Sequence, residues 1–134
     1  MKIKAIRRQL RFPADERGAA VVEFAIVVSL LLIIVFGIIA FGRVYSELTV
    51  MESAAREGAR EAAVRGTADD ITSATTDAAD PFTLDATPAA DRVCDDSSVG
   101  ERVTVSWVQN FEVELVMAPT INFDRTMKGV FRCE

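Results

Sequence analysis

The chain has 134 residues and a net charge of −5, with half of its residues apolar and no histidine. That length allows one small domain beyond any membrane segment. The missing histidine removes the ordinary catalytic triad and every His-containing metal site. The acidic balance gives no basic face to neutralise phosphates, so nucleic acid is not an expected partner.

Charge and apolarity are unevenly spread. Residues 1–18 carry Lys2, Lys4, Arg7, Arg8, Arg11 and Arg17 against Asp15 and Glu16. That segment is +4, which leaves −9 for residues 19–134. Ala19 to Phe41 then reads AAVVEFAIVVSLLLIIVFGIIAF, 23 residues with Glu23 as the one charge. As a helix it spans roughly 34 Å, enough for the hydrocarbon core of a bilayer. A domain this small could not wrap a helix apolar on every side. The positive-inside bias puts the N-terminus in the cytoplasm and the acidic remainder outside.

Residues 1–18 read as a basic cytoplasmic leader that is cleaved. A secretory signal would carry its small-residue cut after the apolar run. Here the candidate, Gly18, precedes that run, so cutting there keeps the membrane helix. Glu23 needs an explanation, because a charge in a membrane helix costs roughly 2 to 3 kcal/mol without a partner. A cut after Gly18 would make Ala19 a free amine one helical turn from Glu23. The carboxylate can pair with its own amine or a neighbour's, or snorkel to the interface.

The helix is expected to continue past the membrane as an amphipathic extension over residues 42–66. Val44, Leu48, Met51, Ala55, Gly58 and Ala62 recur at steps of four and three, on one face. Glu52–Arg56 and Glu61–Arg65 stand at i,i+4 with the acid first. Gly66 is the expected stop. Ala54, Ala55, Gly58, Ala59 and Ala62 form a stripe of small side chains that admits close packing. Its partner is either the chain's own C-terminal domain or a neighbouring subunit.

Residues 67–134 are expected to form an exported α+β domain. Thr67 or Asp69 caps a short helix through Ala79, and Asp80-Pro81 ends it. Loop follows to Ser98. Val99–Val108 alternates as a strand, and Phe111, Val113 and Leu115 either extend it or follow a turn at Asn110. Residues 123–133 return as a second strand, with Gly129 as a bulge or kink. The fold class is α+β: a long N-terminal helix, transmembrane then amphipathic, with a small antiparallel sheet packed on it. Cys94 and Cys133 lie in the exported, oxidising compartment, where a disulfide is the natural reading and two free thiols the alternative. Such a bridge would stabilise the fold by roughly 4 kcal/mol. Asp91, Asp95 and Asp96 lack the alternating spacing of a Ca²⁺ loop and read as a solvated acidic loop. No Gly-rich phosphate loop, metal cluster, cofactor motif or catalytic set is evident, so the expected role is not enzymatic.

Glycine, four residues, then Glu-Phe at the head of an apolar helix resembles the prepilin-peptidase site of type IV pilins. The continuation through Ala54-Ala55-Arg56-Glu57-Gly58-Ala59-Arg60 resembles the TadE-like family of the tight-adherence pilus system, and Thr126–Glu134 resembles its closing strand. The resemblance implies a pseudopilin or minor pilin that acts in assembling Flp-type pili for adhesion and biofilm formation. It implies Gly18 before the cut, Ala19 as the new N-terminus, Glu23 as the amine-pairing carboxylate and Phe24 as part of the processing motif. The implied partners are the prepilin peptidase, assembly-platform proteins, other pilin subunits and the lipid bilayer. Family members often carry proline where this chain has Ser29, so no kink is expected there. The alternative is an unprocessed single-span membrane protein whose outer domain binds a ligand or a cell-wall partner.

Overall fold

The computed structural model describes residues 16–115 and 119–134. Helix α1 covers Glu16–Ala63, α2 Ala68–Ala79, and strands β1, β2 and β3 cover Ala89–Ala90, Arg102–Val113 and Ile121–Arg132. Two compact units emerge: the part of α1 up to Val35, and residues 36–134. The 1–18 leader lies, for residues 1–15, outside the described residues.

α1 is unbroken over 48 residues. Ser29 does not interrupt it, because its hydroxyl donates to the Ala25 carbonyl at 2.7 Å; Thr49 does the same to Tyr45 at 2.8 Å. The helix closes in a Schellman turn. The Gly66 amide donates to the Glu61 carbonyl at 3.1 Å, and Arg65 takes the left-handed position at φ 69°. The expected stop at Gly66 is therefore displaced by one residue. Gly66 serves close approach instead, since a Cβ there would lie 2.9 Å from Glu61.

α2 begins as the sequence suggests. Thr67 Oγ1 accepts from the Asp70 amide at 3.3 Å, and the Asp70 carboxylate accepts from the Thr67 amide at 2.9 Å. This reciprocal capping box satisfies two orphan donors. Hydrogen bonds from the Thr67 hydroxyl and amide hold the Asp70 carboxyl below the usual aspartate range. The helix ends at Ala79, and Asp80, before Pro81, adopts extended dihedrals.

The sheet is antiparallel in the order β1-β2-β3. β2 and β3 pair without a slip from Arg102↔Arg132 to Val113↔Ile121. The strand therefore continues through Asn110 rather than turning there. β1, within the segment expected to be loop, is only two alanines. It is held by its flank: the Asp91 amide donates to the Thr104 carbonyl at 2.9 Å, and the Thr104 amide donates to the Asp91 carboxylate at 2.8 Å. Val103, Val105, Trp107, Gln109 and Phe111 alternate as buried residues along β2. They meet α1 in two clusters. Near the end of α1, Ala59, Ala62 and Ala63 share a core with Val103, Val105, Ile71 and both cysteines. One to three turns earlier, Met51, Ala54 and Ala55 share one with Trp107, Phe111, Met127 and Ala79. β2 thus runs antiparallel to this part of α1.

Candidate functional site

Gly18, Ala19, Glu23 and Phe24 all lie on α1, and all are exposed. A Cβ at Gly18 would meet nothing within 4 Å. The helix holds a window of mean hydropathy 3.2 with none of it buried, and this makes it a candidate membrane span. Large apolar side chains that no protein surface covers need another apolar medium.

The stripe of small residues is placed differently. Ala54, Ala55 and Ala59 are fully buried, Ala62 nearly so, and Gly58 lies among them. A Cβ on Gly58 would come 2.2 Å from the Thr75 hydroxyl of α2. On the sheet side, a Cβ on Gly129 would fall 1.7 Å from the Ala55 carbonyl oxygen. Gly129 pairs in regular register with Val105, so it is neither bulge nor kink. Its missing side chain lets β3 touch the backbone of α1. Within residues 36–134 the stripe is thus occupied by the chain's own α2 and sheet.

Neither expected i,i+4 ion pair forms. Glu52 receives Arg125 of β3 at 3.2 Å, and Arg56 donates to Ser53 at 3.1 Å. Arg65 has left the helical path and pairs with Asp96. These are exposed contacts worth at most about 1 kcal/mol each. The acidic loop is likewise engaged. Asp91 holds Thr104, Asp96 holds Arg65, and Asp95 accepts from the Ser97 amide at 2.9 Å. The Ser97 and Ser98 hydrogen bonds keep the Asp95 carboxyl below its ordinary range. Among the described residues, no group of three His, Cys, Asp or Glu side chains is placed to hold a metal.

Cys94 and Cys133 form a disulfide with their Cα atoms 5.5 Å apart. Backbone bonds surround it. The Cys133 amide donates to Glu101 at 2.8 Å, Gly100 to Cys133 at 2.9 Å, and Glu134 to Ala63 at 3.1 Å. The end of β3, the acidic loop and the end of α1 are thereby joined at one point.

One polar cluster was not anticipated. Gln109 is 2% exposed in an otherwise apolar row. Its Oε1 accepts from Trp107 Nε1 at 3.1 Å and from the Asp85 amide at 3.2 Å, and its Nε2 donates to the Thr83 carbonyl at 3.1 Å. It clamps the 83–85 loop to β2. Glu47 of α1 sits beside this clamp. Partial burial, then the nearby Asp85 charge, push its carboxyl above the usual glutamate value, against a hydrogen bond from Gln109. A glutamine in phase with Val105, Trp107 and Phe111 is the sequence signal for such a clamp. Phe36, Ile39, Arg43, Glu47, Phe82 and Glu112 line an open groove of about 970 Å³ close by.

No curated protein and no solved structure matches the chain. A family model does match, over residues 18–60, and its description is TadE-like protein. The match starts at Gly18 and runs through Glu23, the apolar run and the buried alanines to Arg60, so over this segment the chain is TadE-like.

Proposed function

We propose that the chain is a membrane-anchored pseudopilin or minor pilin of a tight-adherence pilus system. The observation that carries this reading is the TadE-like match that begins at Gly18 and takes in the whole apolar run. The TadE-like family implies involvement in tight-adherence pilus systems, and the uncovered apolar surface of α1 fits an anchor in lipid. On this reading the basic leader stays in the cytoplasm and residues 67–134 lie outside. The prepilin peptidase cuts the peptide bond between Gly18 and Ala19. The new Ala19 ammonium then lies one helical turn from Glu23. In lipid that carboxylate gains most from pairing with an amine, its own or that of a neighbouring subunit. The subunit acts structurally, through helix–helix packing with platform proteins and other pilins, in assembly, adhesion and biofilm formation.

Mass spectrometry of the mature protein from native membranes tests the cut. The expected N-terminal residue is Ala19. An intact Met1, or a cut beyond residue 40, would overturn the prepilin reading and favour a simple single-span anchor.

A further inference from the structure

The open groove of about 970 Å³ beside the Gln109 clamp lies wholly within residues 36–134. Its volume is at the upper end of small-molecule sites, which run to about 1,000 Å³. One wall is α1. Phe36, Ile39, Ala40, Arg43 and Glu47 follow at steps of three and four, allowing for the Ile39-Ala40 neighbours, so they share a face of the helix. Phe36, Ile39 and Ala40 belong to the apolar run that ends at Phe41, and Arg43 stands roughly 10 Å beyond Phe36 along the axis. The wall therefore passes from apolar to charged within one groove.

The facing wall changes in the same direction. Phe82 follows α2, while Glu112, Glu114 and Leu115 come from the end of β2 and the two residues after it. β2 runs against this part of α1, with Trp107 and Phe111 in one core with Met51 and Ala54. Leu115 therefore lies toward Phe36, and Glu112 toward Glu47. Arg43, Glu112 and Glu114 are exposed, and none has an ion-pair partner among the described residues.

Two observations select the occupant. Phe36 and Ile39 are 42% and 49% exposed, and they continue the uncovered apolar surface of α1. Whatever medium covers that surface reaches the groove through its apolar end, and on the anchor reading that medium is lipid. The charged end then decides which lipid. Arg43 suits a phosphate, which its guanidinium fork bonds through two N–H groups. Glu112 and Glu114 suit an ammonium, and they repel a headgroup that is anionic and carries no amine. A primary ammonium donates three hydrogen bonds, whereas a quaternary one donates none. A second copy would bring the −9 of residues 19–134 to this acidic lip.

We propose that the groove binds a phospholipid with a primary-amine headgroup. Its phosphate lies at Arg43, its ammonium at Glu112 and Glu114, and an acyl chain along Phe36, Ile39, Phe82 and Leu115. This rests on the reading of α1 as a lipid anchor, and not on the peptidase cut or the pilus role.

Native mass spectrometry of the full chain released from nanodiscs tests it. The discs hold equal parts of phosphatidylethanolamine, phosphatidylcholine and phosphatidylglycerol. One phosphatidylethanolamine stays bound, retained about tenfold over phosphatidylcholine, as one charge-assisted hydrogen bond allows. Phosphatidylglycerol is retained least. Glu112→Gln combined with Glu114→Gln brings the ethanolamine and choline lipids level. Arg43→Gln lowers both about tenfold, since both carry the phosphate. Lipids retained in the proportions of the disc overturn the proposal and leave the anchor standing. So does a selectivity that the paired glutamate substitution leaves untouched, or retention that Arg43→Gln does not lower. A dimer without bound lipid gives the groove to a second copy and overturns it as well. A chain that never enters the discs overturns the anchor reading, and this inference with it.

Discussion

Residues 18–35 and residues 51–63 belong to the same helix, but the first carries a single charge, Glu23, and the second carries five. In the first stretch Val21, Phe24, Ile26, Leu30 and Ile33 are all more than half exposed. In the second, Met51, Ala54, Ala55, Ala59 and Ala63 have no exposed surface at all. The bulky side chains are where no protein contacts them, and the small ones are where protein does. Lipid conforms to any shape, so a membrane-facing stretch maximises apolar area. A sheet and a second helix are rigid, and they can approach α1 closely only where its side chains are short. Hydropathy therefore identifies the candidate membrane span, and residue size identifies the packing face.

The sharpest way to break the second stretch is from the other side of the contact. Gly129→Ala puts a Cβ 1.7 Å from the Ala55 carbonyl oxygen and 2.3 Å from its carbon. Backbone cannot yield as a flexible side chain can. We expect a loss of about 4 kcal/mol or more, enough to unfold residues 36–134 while the helix of residues 18–35 is kept. Circular dichroism and limited proteolysis in nanodiscs would show the fold of residues 36–134 lost with the helix of residues 18–35 retained. A domain of unchanged Tm would sink this account of Gly129.

That glycine also marks what can be read from a sequence. The capping box at Thr67, the end of α2 before Pro81, and the alternation of β2 are local patterns, and they are visible in the chain. Gly129 read as a bulge because its partner, Ala55, is 74 positions away. Nothing near it reports a backbone across the gap. The ion pairs failed for a similar reason: Glu52 has Arg125 within reach, and Arg65 is drawn out of the helix by the closing turn. At the other end of α1 the apolar run was legible because hydropathy is a local property of the chain, and the structure leaves that run uncovered.

The next largest effect tests how the packed end is fastened. Cys94→Ser opens a closed loop with a sequence separation of 39. The chain-entropy model gives a loss of about 4 kcal/mol, somewhat less if the reduced unfolded chain is compact. Chemical denaturation of residues 36–134 in the full chain, with and without reductant, measures it. The wild type under reductant should match Cys94→Ser; a midpoint unmoved by either change would mean the bridge adds nothing.

A paired substitution tests the size rule directly. Ala59→Leu forces three extra heavy atoms into a filled interface and should cost about 1 to 3 kcal/mol. Leu31→Ala removes as many from a site 55% exposed to its surroundings, and the fold of residues 36–134 should be unaffected. Its effect should appear instead in membrane partition, by about 2 kcal/mol on area grounds. If Leu31→Ala lowered the Tm of residues 36–134 as Ala59→Leu does, the two stretches would not differ as described.

The smallest expected effect lies just outside the apolar run, at Glu47. Its carboxyl is raised above the ordinary glutamate value of 4.5, first by burial and then by Asp85. A carboxyl with a folded pKa above its unfolded one binds its proton more tightly when folded. The stability it contributes is complete below about pH 4.5 and is lost as pH rises through the folded pKa. At neutral pH the ionised group is therefore a mild liability, which Glu47→Gln removes while leaving an amide for Gln109. The variant should melt slightly higher than wild type at pH 7, and the two curves should converge as pH falls through the carboxylate range. Asp70 and Asp95 work in the opposite sense, since their carboxyls are lowered and their contribution fades on acidification. Both groups are shared by the two proteins, so they cancel in the difference and leave Glu47 as its source. A difference in Tm that stayed constant from pH 4 to pH 8 would show that shape, not charge, separates glutamate from glutamine at this position.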